Sequence, residues 1–466
     1  MTGIPPVVLD RTARTPLSVQ LADALRAAAA AGTLRPGDRL PSTRELATAL
    51  RVSRTVTAAA YDQLLAEGWA GGRRGVGTFV LGGPGPATAP PAALRRVDRG
   101  RSVLVDLRAG SPCLEVLDRA AWRRAWRAAG DGSPDSLPEP AGDPAFREAV
   151  AQHLLRHRGL GVEPADVLAT AGTSAAVGEV ARTLPPGSRV AVEDPGYQRA
   201  VGALVDAGAE VVAVPVDADG LVVDALPSGL AAVYCTPAHQ YPTGRRMSAG
   251  RRLALVARAR AEDFWVLEDD YDGELRYDVA PLPLLAALAP DVVVHLGTSS
   301  KILSPTLGVG WMVAPASVRD EVMVRRVATG ARPARAGQRV LTAMAGSGDL
   351  ARHLRRLRRE LAGRREEVRT AVVAAGWRIE GDPAGAHVIV PLPDTDAEAA
   401  VLAAAAARGV ALDGLARHSA AGTGRRRTGL VLGFAAPARE DLHRALTVLA
   451  AVLGEQAAND RGPASP

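Results

Sequence analysis

Through the middle of the chain, short valine-rich runs alternate with longer stretches that mix alanine, leucine and arginine. Residues 189–193, 210–216, 231–236, 265–269 and 292–297 are such runs. Apolar runs of that length between helical patterns predict the strands of a large α/β domain, placed here over residues 103–455. Residues 12–80 have a different rhythm. A helix is predicted over 17–31, with Leu21 and Leu25 on its apolar face, followed by a turn at 32–38. Ser42 and Glu45 have the spacing of a capping box, which starts a second helix running to Leu50. After a turn at Arg51 and Val52, Ser53 caps a third helix that reaches about Ala66 and ends at Gly68. Val56, Ala60 and Leu64 recur on one face of it, as a core-facing helix requires. Residues 73–80 follow as a basic, glycine-bearing hairpin.

Two short helices joined this closely form a helix-turn-helix whose second member enters the major groove, and the hairpin supplies a wing. Arg54, Thr55 and Thr57 stand near the start of the recognition helix, and Arg44 opens the helix before it. Arg73, Arg74 and Gly77 belong to the wing. Charge agrees with a duplex partner: residues 1–80 carry ten arginines against six acids, whereas the chain beyond 101 is close to neutral. Residues 81–102, rich in proline, glycine and arginine, read as a semi-rigid linker. Two cysteines, Cys113 and Cys235, argue against a disulfide framework and fit a reducing cytoplasm. No apolar run approaches the ~18 residues of a membrane span, and the start lacks the pattern of a signal peptide. Neither a membrane nor a metal is an expected partner.

Lys301 is the only lysine beside 55 arginines. A guanidinium stays protonated and does no amine chemistry, so a retained lysine suits a Schiff base. An arginine-biased chain can also leave one lysine behind by chance, and its setting carries more weight. Lys301 follows Thr298 and Ser300 at the end of a strand-like run. Gly172, Thr173 and Ser174 lie between another run and an alanine-rich segment, where a helix N-terminus would offer free N–H groups to a phosphate. Tyr197 closes the run at 189–193, and Asp269 ends the run at 265–269. An amine, an acid, an aromatic face and a phosphate cradle, in that company, are what pyridoxal phosphate requires of a protein.

Residues 40–47, Val52-Ser53-Arg54, Ala60-Tyr61, Leu64, Glu67-Gly68 and residues 75–80 resemble the winged helix of GntR regulators. That resemblance implies operator contacts from Arg44, Ser53, Arg54, Thr57 and the wing tip at Gly77. Residues 140–147, 193–197, 236–244, 268–271, Arg276-Tyr277 and 297–301 resemble a fold-type I aminotransferase, and the two together resemble the MocR/PdxR-like subfamily. The implied fold is a winged helix plus a mixed, mostly parallel sheet with a smaller C-terminal α/β subdomain. By resemblance Lys301 forms the aldimine and Asp269 meets the ring nitrogen. Tyr271 bonds the ring hydroxyl, Tyr197 stacks, His239 and Gln240 border the ring, and Thr298 and Ser300 hold phosphate. A homodimer is implied as well, with pyridoxal phosphate or a small amino compound as effector.

Departures accompany the match. Leu137 stands where this fold usually has a tyrosine reaching a phosphate across the dimer, Gly308 where an arginine grips that phosphate, and Val431 where an arginine often clamps a substrate carboxylate. Ala171 and Ser174 also differ from the family's usual Ser and Gln, and Arg425, Arg426 or Arg427 are candidates to compensate for Val431. The leading expectation is a transcriptional regulator that senses through its cofactor domain. An aminotransferase with an accessory DNA-binding unit and a regulator with an empty, vestigial pocket are the alternatives.

Overall fold

Leu21, Ala22 and Leu25 lie buried along one side of helix α1 (Leu17–Ala30) and seed the core of the smaller of two compact units, Met1–Gly100 and Arg101–Pro466. The computed structural model describes residues 7–73, 76–81, 105–132, 139–277, 283–420 and 427–460. Arg74, Leu137, Arg425, Arg426 and nearly all of the expected linker fall outside those residues.

Helix α2 (Thr43–Leu50) starts at the expected capping box. Ser42 Oγ accepts the Glu45 N–H at 3.2 Å, and the Glu45 carboxylate accepts the Ser42 N–H at 2.8 Å. Arg51 makes the turn in the left-handed region, φ 53°, a conformation costing roughly 1–2 kcal/mol outside glycine. The Arg11 guanidinium donates to its carbonyl at 2.7 Å. Helix α3 (Arg54–Ala66) then buries Thr57, Ala60, Tyr61 and Leu64. This differs from the expected face, because Val56 is only half-buried and Thr57 takes the inward place. The reason is a polar anchor: the Thr57 hydroxyl donates to Thr43 O at 2.8 Å and Arg54 O at 3.0 Å, tying α3 to α2.

The wing is an antiparallel pair, β1 (Ala70–Arg73) and β2 (Gly77–Val80), and begins three residues ahead of the expected hairpin because Ala70 packs into the core. Order also extends ahead of residue 12. Val7 and Leu9 pack on this core, and the Gln20 amide holds Asp10 by two hydrogen bonds of 2.9 Å.

In the larger unit the strands in chain order are β3 (Val105–Asp106), β4 (Val167–Thr170), β5 (Arg189–Asp194), β6 (Glu210–Asp217), β7 (Gly220–Leu221), β8 (Ala232–Cys235), β9 (Trp265–Asp269), β10 (Val293–Thr298), β11 (Gly310–Val313), β12 (His387–Pro391), β13 (Val410–Ala411) and β14 (Gly429–Gly433). Eight of them form one sheet in the order β4-β11-β10-β9-β8-β5-β6-β7. The five from β10 to β6 run parallel, β11 runs against both neighbours, and β7 is a short antiparallel edge. Strands β4, β8 and β10 are buried at every position, which explains valine-rich runs without polar alternation. Beyond the long helix Asp349–Ala374, β12 pairs antiparallel with β14, and helices Thr395–Ala407 and Arg439–Asp460 complete a smaller α/β subdomain. Among the described residues no helix is long and apolar enough to cross a membrane, and no cluster of His, Cys, Asp or Glu could hold a metal.

Candidate functional site

In the smaller unit the two helix starts set the reading face. Ser53 Oγ accepts the Val56 N–H at 3.3 Å, which fixes the first turn of α3 and leaves Arg54 and Thr55 exposed. Arg44 is exposed in the first turn of α2. Thr57 does not join them, since its hydroxyl is spent within the fold. Gly77, φ 135°, lies against Arg39: a Cβ there would sit 2.9 Å from the Arg39 Nε. Arg39 is exposed, so it adds a cation to the wing that sequence reasoning passed over. Its bridge to Phe79 across the wing is a contact no local pattern reveals. The side chains of Arg73 and Arg74 lie outside the described residues.

In the larger unit the C-terminal ends of the parallel strands bring the second set together, as open α/β sheets do. The chain leaves β4 through Gly172, φ 118°, into helix Thr173–Ala181, whose first turn has no side-chain cap. Thr298 Oγ1 lies 3.7 Å from the place a Gly172 Cβ would take, and it hydrogen-bonds Ser300 Oγ at 3.1 Å. Open N–H groups and two hydroxyls thus share one corner, a fit for phosphate. Ser174 Oγ donates to Tyr197 OH at 3.4 Å, linking that corner to β5. Lys301 Nζ donates to Gly110 O at 2.5 Å. Burial lowers the Lys301 pKa, while Asp272 and Asp269 pull it back up.

Asp269 is buried at the end of β9. Its Oδ2 accepts the Tyr234 hydroxyl at 2.7 Å, and its Oδ1 has no hydrogen-bond partner. Burial pushes its carboxyl up to about 7, against the pull of Tyr234 and Thr173. A buried carboxylate oxygen without a donor is uncommon, and a protonated ring nitrogen would supply one. Behind it Asp270 forms a buried two-point pair with Arg158, at 2.6 and 2.7 Å. Burial raises the Asp270 carboxyl as well, and the guanidinium opposes it.

The loop after β8 is held differently from its expected role. Gln240 spends its amide on Glu193, Pro195 O and Tyr241 O and its oxygen on Thr243, so it braces the loop. Glu193 beneath it is pushed to about 7 by burial, against the Thr236 and Gln240 hydrogen bonds. His239 Nδ1 lies 2.8 Å from Asp272 Oδ2 and 3.1 Å from Tyr271 OH. Tyr241 packs edge-on against Tyr197, Tyr271, His387 and His418 at 5.3–6.0 Å, an aromatic nest of which only Tyr197 and Tyr271 were expected. Tyr234, Asp272 and Arg158 were missed too; a lone tyrosine inside a valine run is the one local hint among them.

The departures take definite places. Gly308 is exposed in a left-handed turn, φ 57°. Val431 is buried with Ile389 and Leu415. Arg427 pairs with Glu380 at 3.3 Å. Arg199 is exposed, has no hydrogen-bond or ion-pair partner among the described residues, and lowers the Lys301 pKa by its charge.

Residues 102–427 match the model for aminotransferase class I and II, and residues 17–80 match that for bacterial regulatory proteins of the gntR family. The HTH-type pyridoxine biosynthesis transcriptional regulator PdxR of Corynebacterium glutamicum is 37% identical over 92% of this chain and 94% of its own. The chain belongs to the MocR/PdxR-type GntR regulators. The probable rhizopine catabolism regulatory protein MocR of Rhizobium meliloti is 32% identical over 92% of each chain. The crystal structure of an archaeal alanine:glyoxylate aminotransferase superposes with a TM-score of 0.69 at 25% identity, covering 76% of this chain and 92% of that one. Members of this family join a DNA-binding winged helix to an aminotransferase-like domain, and the two units described above are that arrangement.

Proposed function

We propose that this regulator holds pyridoxal phosphate in the larger unit and changes its hold on operator DNA when the cofactor, or an amino compound that reacts with it, binds. The observation that carries the reading is the buried Asp269 Oδ1 without a donor, at the same sheet end as the chain's only lysine. When bound, the cofactor supplies an electrophilic carbon and an electron-sink ring. Lys301 would take the covalent link and Asp269 the ring nitrogen. Thr173, Ser174, Thr298, Ser300 and the backbone at Gly172 would hold phosphate, while Tyr197 covers the ring. Tyr271 would meet the ring hydroxyl. Linkage requires only that the effector prefer one of two arrangements of the chain.

A homodimer suits the smaller unit, because paired winged helices match two half-sites on double-stranded DNA. It would act where a reducing cytoplasm keeps Cys113 and Cys235 free. Sensing is favoured over turnover by Val431, buried among apolar side chains where a substrate clamp would need a cation. A visible absorbance band after mixing the full chain with pyridoxal phosphate tests the reading, since linking the cofactor to the lysine changes its spectrum. Wild type is expected to show it and Lys301→Ala to lose it. Equal uptake by both would refute the assignment, and steady turnover of amino donors would replace the sensor with an enzyme.

A further inference from the structure

The Tyr271 hydroxyl is not alone. It lies 3.1 Å from His239 Nδ1, and the same nitrogen lies 2.8 Å from Asp272 Oδ2. The His239 and Tyr271 rings are stacked, 28° between planes and 6.2 Å between centroids. Asp272 and His239 are both about 4% exposed or less. One nitrogen carries one proton, so the three groups must divide two hydrogens among them.

The other ring nitrogen decides how. His239 Nε2 is buried with no hydrogen-bond partner. A buried N–H without an acceptor is rarer and costlier than a buried lone pair without a donor, which places the proton at Nδ1. That proton goes to the Asp272 carboxylate, the stronger acceptor. Nδ1 then has no lone pair left for Tyr271, and the Tyr271 O–H is free to donate elsewhere. Gly385 closes the arrangement on one side. Its backbone, φ 68° with its N–H on Leu275 O at 2.9 Å, presses so close that a Cβ would lie 2.4 Å from His239 Cε1 and 2.5 Å from Asp272 Oδ2.

We infer that Asp272 and His239 are positioning residues that aim the Tyr271 O–H away from the protein and toward the ring hydroxyl of the cofactor. The inference rests on the cofactor reading given above. It assigns a job to Asp272, which no local motif marks, and makes the phenol's donor direction depend on a carboxylate one residue along the chain. The other ionisable groups that act on the phenol are Tyr241, Asp269 and Glu193, and His387 packs against His239 at 5.1 Å. None of these stands between His239 and Tyr271.

Asp272→Asn tests it in the full-length protein. Asparagine removes the charged acceptor that holds the proton at Nδ1; with the proton moved to Nε2, the single Nδ1 lone pair takes the Tyr271 O–H, which turns inward. Nitrogen NMR of the His239 ring, without cofactor, is expected to report the Nδ1–H form in wild type and its loss in Asp272→Asn. With pyridoxal phosphate bound, the pH midpoint of the visible band is expected to move by on the order of one unit in Asp272→Asn, a tenfold change in proton affinity. Asp272 also acts on Lys301 by its charge, so the part that runs through Tyr271 is read as the difference between the Asp272→Asn shift in wild type and in Tyr271→Phe, expected to be about one unit. His239→Asn, whose amide nitrogen can take the place of Nδ1, should restore the wild-type midpoint, and it serves also if Asp272→Asn folds poorly. An Nε2–H form in wild type, or shifts that add in the double variant, would overturn the inference while leaving the cofactor reading intact. A wild type that takes up no pyridoxal phosphate would instead overturn the cofactor reading and, with it, this use of Tyr271.

Discussion

Asp269→Asn should make the cofactor-free protein more stable at alkaline pH while ruining the site. The Asp269 carboxyl is pushed by burial from an ordinary 3.8 to about 7. The folded chain therefore holds that proton longer than the unfolded chain does. Stability from this group is full below the unfolded value and falls as pH rises through the interval to about 7, above which the ionised carboxylate sits buried with one oxygen unsatisfied. A gap of roughly three pH units at about 1.4 kcal/mol each comes to ~4 kcal/mol. Asparagine fits the same space, still accepts from Tyr234, and carries no charge. The expected gain is near zero at pH 4 and up to ~4 kcal/mol at pH 8. Urea unfolding of the larger unit at several pH values, without cofactor, reads it as a midpoint difference that opens with pH. Bound pyridoxal phosphate should close that difference, because a protonated ring nitrogen pairs only with the carboxylate. Equal midpoints at pH 4 and pH 8, or a less stable variant at pH 8, would refute the reasoning.

Other expectations follow from the same contacts. Arg54→Ala should lose operator preference by about 1–3 kcal/mol per base contact, seen in titrations against operator and scrambled duplexes, with the melting temperature unchanged. Arg39→Ala should weaken binding to all sequences alike and flatten its salt dependence, since a wing cation of this kind meets phosphate. Thr57→Val should lower the stability of the smaller unit by about 1 kcal/mol through loss of the hydroxyl's hydrogen bonds to Thr43 O and Arg54 O, with specificity intact at saturating protein.

What could be read from residues alone divides along physical lines. The capping box at Ser42 and Glu45 and the cap at Ser53 are satisfied within three residues, so spacing reveals them. Lys301 and Asp269 could be singled out because the lysine stands alone in the chain and the acid ends a strand. Thr57 was misplaced because its inward turn depends on a carbonyl fourteen residues away. Tyr234, 35 residues from Asp269, and Arg158, 112 residues from Asp270, have meaning only once the sheet has set them side by side. His239 was recognised but not its partners, since the hydrogen bond to Asp272 spans 33 residues and joins two separate strand ends.

The strand β11, which runs against both of its neighbours, has a consequence for where this chain can change length. Because β11 opposes β10, with Thr298 facing Gly310, the segment carrying Lys301 leaves and re-enters the sheet at the same end. Ser299 and Val309 close it with a further hydrogen bond of 3.1 Å. The amine therefore hangs on a short bridge pinned at both feet. An inserted or deleted residue between 299 and 309 has no slack to take it up and would displace the nitrogen itself. The exposed turn after helix Gln198–Asp206, by contrast, hands the chain on to β6, three places from β9, and could absorb such an edit without moving the amine.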